Sequence, residues 1–93
     1  MAIALVQEFD GDLSRYDLVT AELDFDGNPP EGLILHTTGL IGPNRVRIFD
    51  VWRDDEDWER FRDERLLPAI EAVTGGPFDA KTEVYTLHDL FPG

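Results

Sequence analysis

Residues 47–58 read RIFDVWRDDEDW. Ile48, Phe49, Val51 and Trp52 are β-branched or aromatic residues that suit a strand. Asp54, Asp55, Glu56 and Asp57 follow at once, and acidic residues favour the positive N-terminal end of a helix. The stretch therefore predicts a strand that runs straight into a helix, with Asp54 as its N-cap. Asp50 does not fit that reading, because aspartate is depleted from strands. It either reaches solvent or has a partner.

Working outward, residues 45–53 form the predicted strand. GLIGPN before it reads as a turn, and GLILHTT at 32–38 reads as the other arm of a hairpin. On the C-terminal side, residues 55–73 are predicted helical, with Trp58, Phe61, Leu66, Ile70 and Val73 as a drifting apolar stripe. Pro68 interrupts the stripe and predicts a kink or break near residues 64–67. TGGP at 74–77 ends the helix, and AKTEVYTLH at 80–88 reads as a last strand ahead of the tail DLFPG. At the other end, AIALVQEF at 2–9 reads as a first strand. Residues 14–23 read as a helix with Ser14 as cap and Tyr16, Val19 and Leu23 on one face. DFDGNPPEG at 24–32 is a loop.

The order strand, helix, strand, strand, helix, strand is the split βαβ pattern. The fold class expected is α+β, a ferredoxin-like βαββαβ domain covering residues 1–93. Two right-handed crossovers place both helices on one face of a four-stranded antiparallel sheet. Alternation within the strands then matters. Ile3, Leu5 and Phe9 oppose Ala2, Ala4 and Val6; Leu33 and Leu35 oppose Ile34; Phe49 and Val51 oppose Val46, Ile48 and Trp52. Both faces are apolar, and two helices cover only one. The other is expected to meet a second copy, sheet to sheet, in an isologous homodimer.

Of the 93 residues, 20 are acidic and 8 basic, for a net charge of −12. Such a surface opposes both nucleic-acid phosphates and anionic membranes, so neither is an expected partner. The chain has no cysteine, which excludes disulfides, thiolate nucleophiles and cysteine-ligated metals. MAIALVQEFD lacks the basic start of a secretory signal, and no run approaches a membrane span, so a cytoplasmic location is expected. No Gly-rich phosphate loop, G-x-S-x-G elbow or metal-ligand spacing of histidines occurs, and the expectation is neither cofactor nor metal.

GLILHTTG, RIFDVWRDDEDWERF, RLLPAIEAV and VYTLHDL, which together span nearly the whole chain, resemble the antibiotic-biosynthesis-monooxygenase-like family of the dimeric α/β-barrel superfamily. The resemblance implies a ferredoxin-like sheet dimerised into a barrel, with a cleft for an aromatic ligand between sheet and helices. Members similar to this chain include cofactor-independent monooxygenases that oxidise polycyclic phenols to quinones, haem-degrading proteins and proteins of no known activity. The haem degraders use an axial histidine on a helix, and neither predicted helix here contains one.

His36, mid-strand, is the candidate base; the alternative is a hydrogen-bonded structural histidine. Asp50 is its candidate orienter. If the hairpin pairs equal parities, Asp50 and His36 share a face and an Asp–His contact would hold one imidazole tautomer. A two-residue turn at Gly42–Pro43 would separate them. Trp52 is a candidate stacking wall for a substrate, or a core residue. His88, Tyr85, Tyr16 and Gln7 are further candidates to line a cleft, while Trp58, Phe61 and Phe9 read as core. The functional expectation is a cofactor-free monooxygenase, or a related cyclase or isomerase, acting on a small aromatic or polyketide-like molecule. The alternatives are a non-catalytic binder of a small hydrophobic ligand and a structural or regulatory homodimer.

Overall fold

A computed structural model describes residues 1–92. Strand β1 (Ile3–Asp10) leads into helix α1 (Leu13–Leu23), then the hairpin β2 (Leu33–Gly42) and β3 (Arg45–Trp52). Helix α2 (Asp55–Phe61), a π-helical turn (Arg62–Leu66) and helix α3 (Leu67–Thr74) follow, and strand β4 (Lys81–Thr86) closes the sheet. The sheet order is β2-β3-β1-β4 with every neighbouring pair antiparallel, the ferredoxin-like arrangement. Among the described residues no helix is long and apolar enough to cross a membrane.

The helix-facing side of the sheet supplies Ile3, Leu5 and Trp52. They pack with Leu23 of α1, Trp58 and Phe61 of α2 and Ala69 of α3. Trp52 lies 5.2 Å from the Phe61 ring and 5.8 Å from the Trp58 ring. Burying a side chain of this kind contributes roughly 1.5–3 kcal/mol, so this cluster anchors the helices over β1 and β3.

The start of α1 differs from the sequence reading, while the break expected ahead of Pro68 is present. The cap of α1 is Asp12, not Ser14: the Asp12 carboxylate accepts the Ser14 backbone N–H at 2.9 Å, and the helix starts one residue earlier than expected. The 55–73 segment is not one helix. Pro68 has no N–H for the carbonyl four residues back and its ring would crowd it. The chain widens ahead of the proline, where the Leu67 N–H reaches the Arg62 carbonyl, five residues back. That turn aims Arg65 at the end of α1, where its guanidinium donates to the carbonyls of Leu23 at 2.6 Å and Asn28 at 2.7 Å. Those bonds fix the loop that carries Phe25.

The hairpin departs further from expectation, and with more consequence. β2 runs on to Gly42, so most of GLIGPN is strand and only Pro43 and Asn44 make the turn. A two-residue turn alone would put His36 and Asp50 on opposite faces. A bulge between Leu40 and Gly42 inserts Ile41 and restores equal parity, pairing Leu40 with Val46 and His36 with Asp50. A second bulge inserts Ile34, so Leu33 sides with Trp52 while Leu35 sides with Val51; the two leucines do not share a face as expected.

The sheet face away from the helices carries Ala4, Val6, Leu35, Phe49, Val51 and Tyr85 by register. Leu35 on β2 and Tyr85 on β4 are 46% and 51% exposed, respectively, so the face is open and apolar along its two edge strands, while Ala4 and Val51 between them are buried. Its far end is charged: Glu8 and Asp10 of β1 pair with Arg45 and Arg47 of β3.

Candidate functional site: a half-buried hydrogen-bonded chain beside an apolar cavity

A cavity of about 170 Å³ lies between the sheet and the helices. Its floor is Gln7, Ile48, Asp50 and His36 from the sheet. Tyr16, Val19 and Leu23 of α1 form one wall; Trp58, Phe61, Leu66 and Ile70 form the other. Phe25 closes one side, and Phe9, Phe78, Arg15, Asp10 and Asp79 stand around the remainder.

Four side chains at one end form a continuous hydrogen-bonded chain. His36 Nδ1 lies 2.7 Å from Asp50 Oδ1, and His36 Nε2 lies 2.6 Å from the Tyr16 hydroxyl. Thr38 Oγ1 donates to the Tyr16 oxygen at 2.6 Å. The Trp52 indole N–H donates to the other Asp50 oxygen at 3.3 Å. A carboxylate only accepts, so the Nδ1 hydrogen belongs on the Asp50 side and Nε2 is left as the acceptor for Tyr16. With a neutral imidazole the direction follows: Thr38 donates to Tyr16, Tyr16 to His36, and His36 to Asp50. Phe25 meets the imidazole edge-on at 5.2 Å, and the Tyr16 ring lies nearly parallel to it at 6.2 Å.

Fold and sequence explain each position. The register pairs His36 with Asp50 and Asp50 with Leu5, which puts both polar groups on the helix side. Asp50 is 5% exposed. Its place mid-strand is explained by donors on both carboxylate oxygens, as buried charge requires. Tyr16, in the first turns of α1, reaches across to β2. Burial holds its hydroxyl protonated above the usual 10.0, the Asp50 and Asp17 charges push the same way, and the Thr38 hydrogen bond opposes them in part. Tyr16 is thus a group that passes a proton rather than one that stores negative charge. Because the folded state holds this proton more tightly than the unfolded chain, its contribution to stability is lost as pH rises beyond 10.0 toward the folded value. In an alkaline titration of tyrosinate absorbance, the component present in wild type and missing in Tyr16→Phe is expected to appear only above pH 10.0. Ionisation below that value would contradict the buried geometry.

The structure brings together three of the six leading candidates, His36, Asp50 and Tyr16. Trp52 touches the group only through its N–H; its ring is 1% exposed in the core and does not line the cavity. Tyr85 lies by register on the opposite face of the sheet, and His88 is exposed beyond the end of β4. Neither lines the cavity. Phe9, Trp58 and Phe61, read as core, line it, and Trp58 and Phe61 belong to the buried core as well. Thr38 and Phe25 were not anticipated. Thr38 shares the parity of His36, a usable signal; Phe25 sits in a loop and has none. No cluster of three or more His, Asp or Glu side chains able to hold a metal occurs among the described residues.

No family model matches the sequence, and no curated protein matches it. Solved structures do. SnoaB, a cofactor-independent oxygenase from Streptomyces nogalater, superposes with a TM-score of 0.70 at 18% identity, covering 99% of this chain and 98% of that one. A candidate antibiotic biosynthesis monooxygenase from Deinococcus radiodurans gives 0.68 at 14% identity, covering 98% and 96%. NE2512 of Nitrosomonas europaea, a protein of unknown function, gives 0.72 at 16% identity over 96% and 91%. The chain shares, over nearly its full length, the ferredoxin-like fold on which a cofactor-independent oxygenase is built.

Proposed function

We propose that this protein is a cofactor-independent monooxygenase of the antibiotic-biosynthesis-monooxygenase-like family, acting on a small hydroxylated aromatic molecule. One observation carries the reading: a directed Tyr16–His36–Asp50 chain lines an apolar, aromatic-walled cavity. The shared fold supports it.

The Tyr16 oxygen donates one hydrogen bond and accepts one, so a lone pair remains for a ligand hydroxyl. A phenol there gives its proton to Tyr16 as the Tyr16 proton moves to His36 Nε2. The imidazolium is then stabilised by Asp50. The resulting phenolate is electron-rich at its ring carbons and can reduce dioxygen. One oxygen atom becomes a new carbonyl, the other leaves as water with two substrate hydrogens, and no external reductant is consumed. The apolar walls shield the intermediate from bulk water.

The deciding experiment is oxygen uptake with a panel of dihydroxynaphthalenes. Uptake matched by quinone formation supports the reading. Thermal stabilisation by these compounds without oxygen uptake would replace it with a non-catalytic ligand-binding module. We also infer that two copies pair through the apolar sheet face around Leu35, Phe49 and Tyr85, as the exposed Leu35 and Tyr85 side chains favour. Sedimentation equilibrium at micromolar concentration is expected to give twice the monomer mass. A clean monomer would overturn the pairing.

A further inference from the structure

Gln7 stands apart from the hydrogen-bonded chain. It is 3% exposed, yet its amide makes no hydrogen bond to any described residue. Neither amide atom is sealed off from open space, and the space it borders is the cavity. An amide that bonds no protein group but still faces open space keeps its donors and acceptor available to a ligand. The core makes no use of it, and what it can reach is whatever fills the cavity.

Its position relative to the chain follows from the register. Gln7 pairs with Ile48, and Ile48 with Thr38, in one row across the sheet; Leu5, Asp50 and His36 form the next row. Gln7 is therefore two strands from Thr38 and the Tyr16 hydroxyl, about 10 Å at the backbone, with Ile48 between. The cavity floor is apolar in its middle and polar at both ends. At one end the polar atoms are almost fully partnered; at the other they are entirely free. A ring system lying on Ile48 would bring one edge to Tyr16 and the opposite edge to Gln7.

Size limits the occupant. An apolar protein cavity of about 150 Å³ takes up benzene, so a volume of about 170 Å³ buries one ring or two, not an extended polycycle. The Gln7 amide both donates and accepts, and it suits a hydroxyl or carbonyl oxygen. We propose that Gln7 is a specificity-determining residue, whose amide binds a second oxygen function on the far edge of a one- or two-ring aromatic ligand whose first oxygen meets Tyr16. This rests on the reading of the cavity as an aromatic-ligand site. It does not need that ligand to be turned over.

The test is binding of naphthalene-2,6-diol and 2-naphthol, followed by quenching of Trp58 fluorescence, in wild type, Gln7→Leu and the near-isosteric Gln7→Met. Wild type is expected to bind the diol about tenfold more tightly than the mono-ol. In either variant that preference should fall to about twofold or less, the statistical advantage of a symmetric ligand, while 2-naphthol binds at least as well as before. A merely structural role for Gln7 would weaken both ligands alike and leave the ratio unchanged. An equal affinity of wild type for the two ligands overturns the inference alone, as does a ratio that survives in a folded variant. If neither compound binds wild type, the aromatic-cavity reading falls, and the inference falls with it.

Discussion

His36→Gln is expected to lower oxygen-dependent turnover of a dihydroxynaphthalene by about 10²–10⁴-fold while leaving thermal stability close to wild type. Glutamine is the informative replacement because its amide can still donate to Asp50 and still accept from Tyr16. Nothing buried is left unpaired, so the variant separates chemistry from folding. What it cannot do is take up a proton. Asp50→Asn should show the complementary pattern. Asparagine can present its oxygen to His36 or to the Trp52 N–H, but not one to each as the carboxylate does. It therefore costs stability as well as turnover. Rates of oxygen consumption and urea midpoints measured on the same samples check both. Unchanged turnover in His36→Gln would remove the imidazole from the mechanism and leave the hydrogen-bonded chain a structural device.

About half of this architecture is legible in the sequence. The order of elements follows from hydrophobic period and from Gly and Pro positions, and the structure has the same order. Parity within β1 and β3 was legible because those strands are regular. Parity across the hairpin was not. Whether Asp50 meets His36 depends on the bulge at Ile41, and GLIGPN accommodates both a bulged two-residue turn and an unbulged one. The bulge at Ile34 was equally silent, since an inserted isoleucine reads like any strand residue. Trp52 shows a different limit. Its strand face was read correctly, but that face is shared by core and cavity. Which of the two a residue joins depends on where α1 and α2 cross the sheet. Gln7 and Tyr16 reach the cavity for that same reason, and only packed helices decide it.

Gly32→Ala is expected to be the most damaging single methyl group in the protein, costing about 3 kcal/mol or more. Gly32 has φ +86°, a conformation that other residues enter only with strain. A Cβ there would overlap the carboxylate of Asp57 and its Cβ as well, so no change of Asp57 rotamer relieves the clash. The first turn of α2 would have to move. Asp57 is 3% exposed and holds Arg53 at 2.7 Å and Arg60 at 3.0 Å. Displacing a buried carboxylate from two guanidinium partners is among the costlier changes a small domain can suffer. The Gly32 carbonyl also accepts the Arg53 N–H at 2.7 Å, which joins the start of β2 to the end of β3. Gly39→Ala, in the strand β2 that follows and with open space at its Cβ, is the control and should be nearly neutral. Urea denaturation of both variants tests the difference. A Gly32→Ala midpoint equal to that of Gly39→Ala would mean that α2 is free to shift. The damage should extend beyond stability, because α2 carries Trp58 and Phe61, which wall the cavity, and β2 carries His36. Ligand affinity is therefore expected to fall in the folded fraction of Gly32→Ala, although Gly32 itself does not line the cavity.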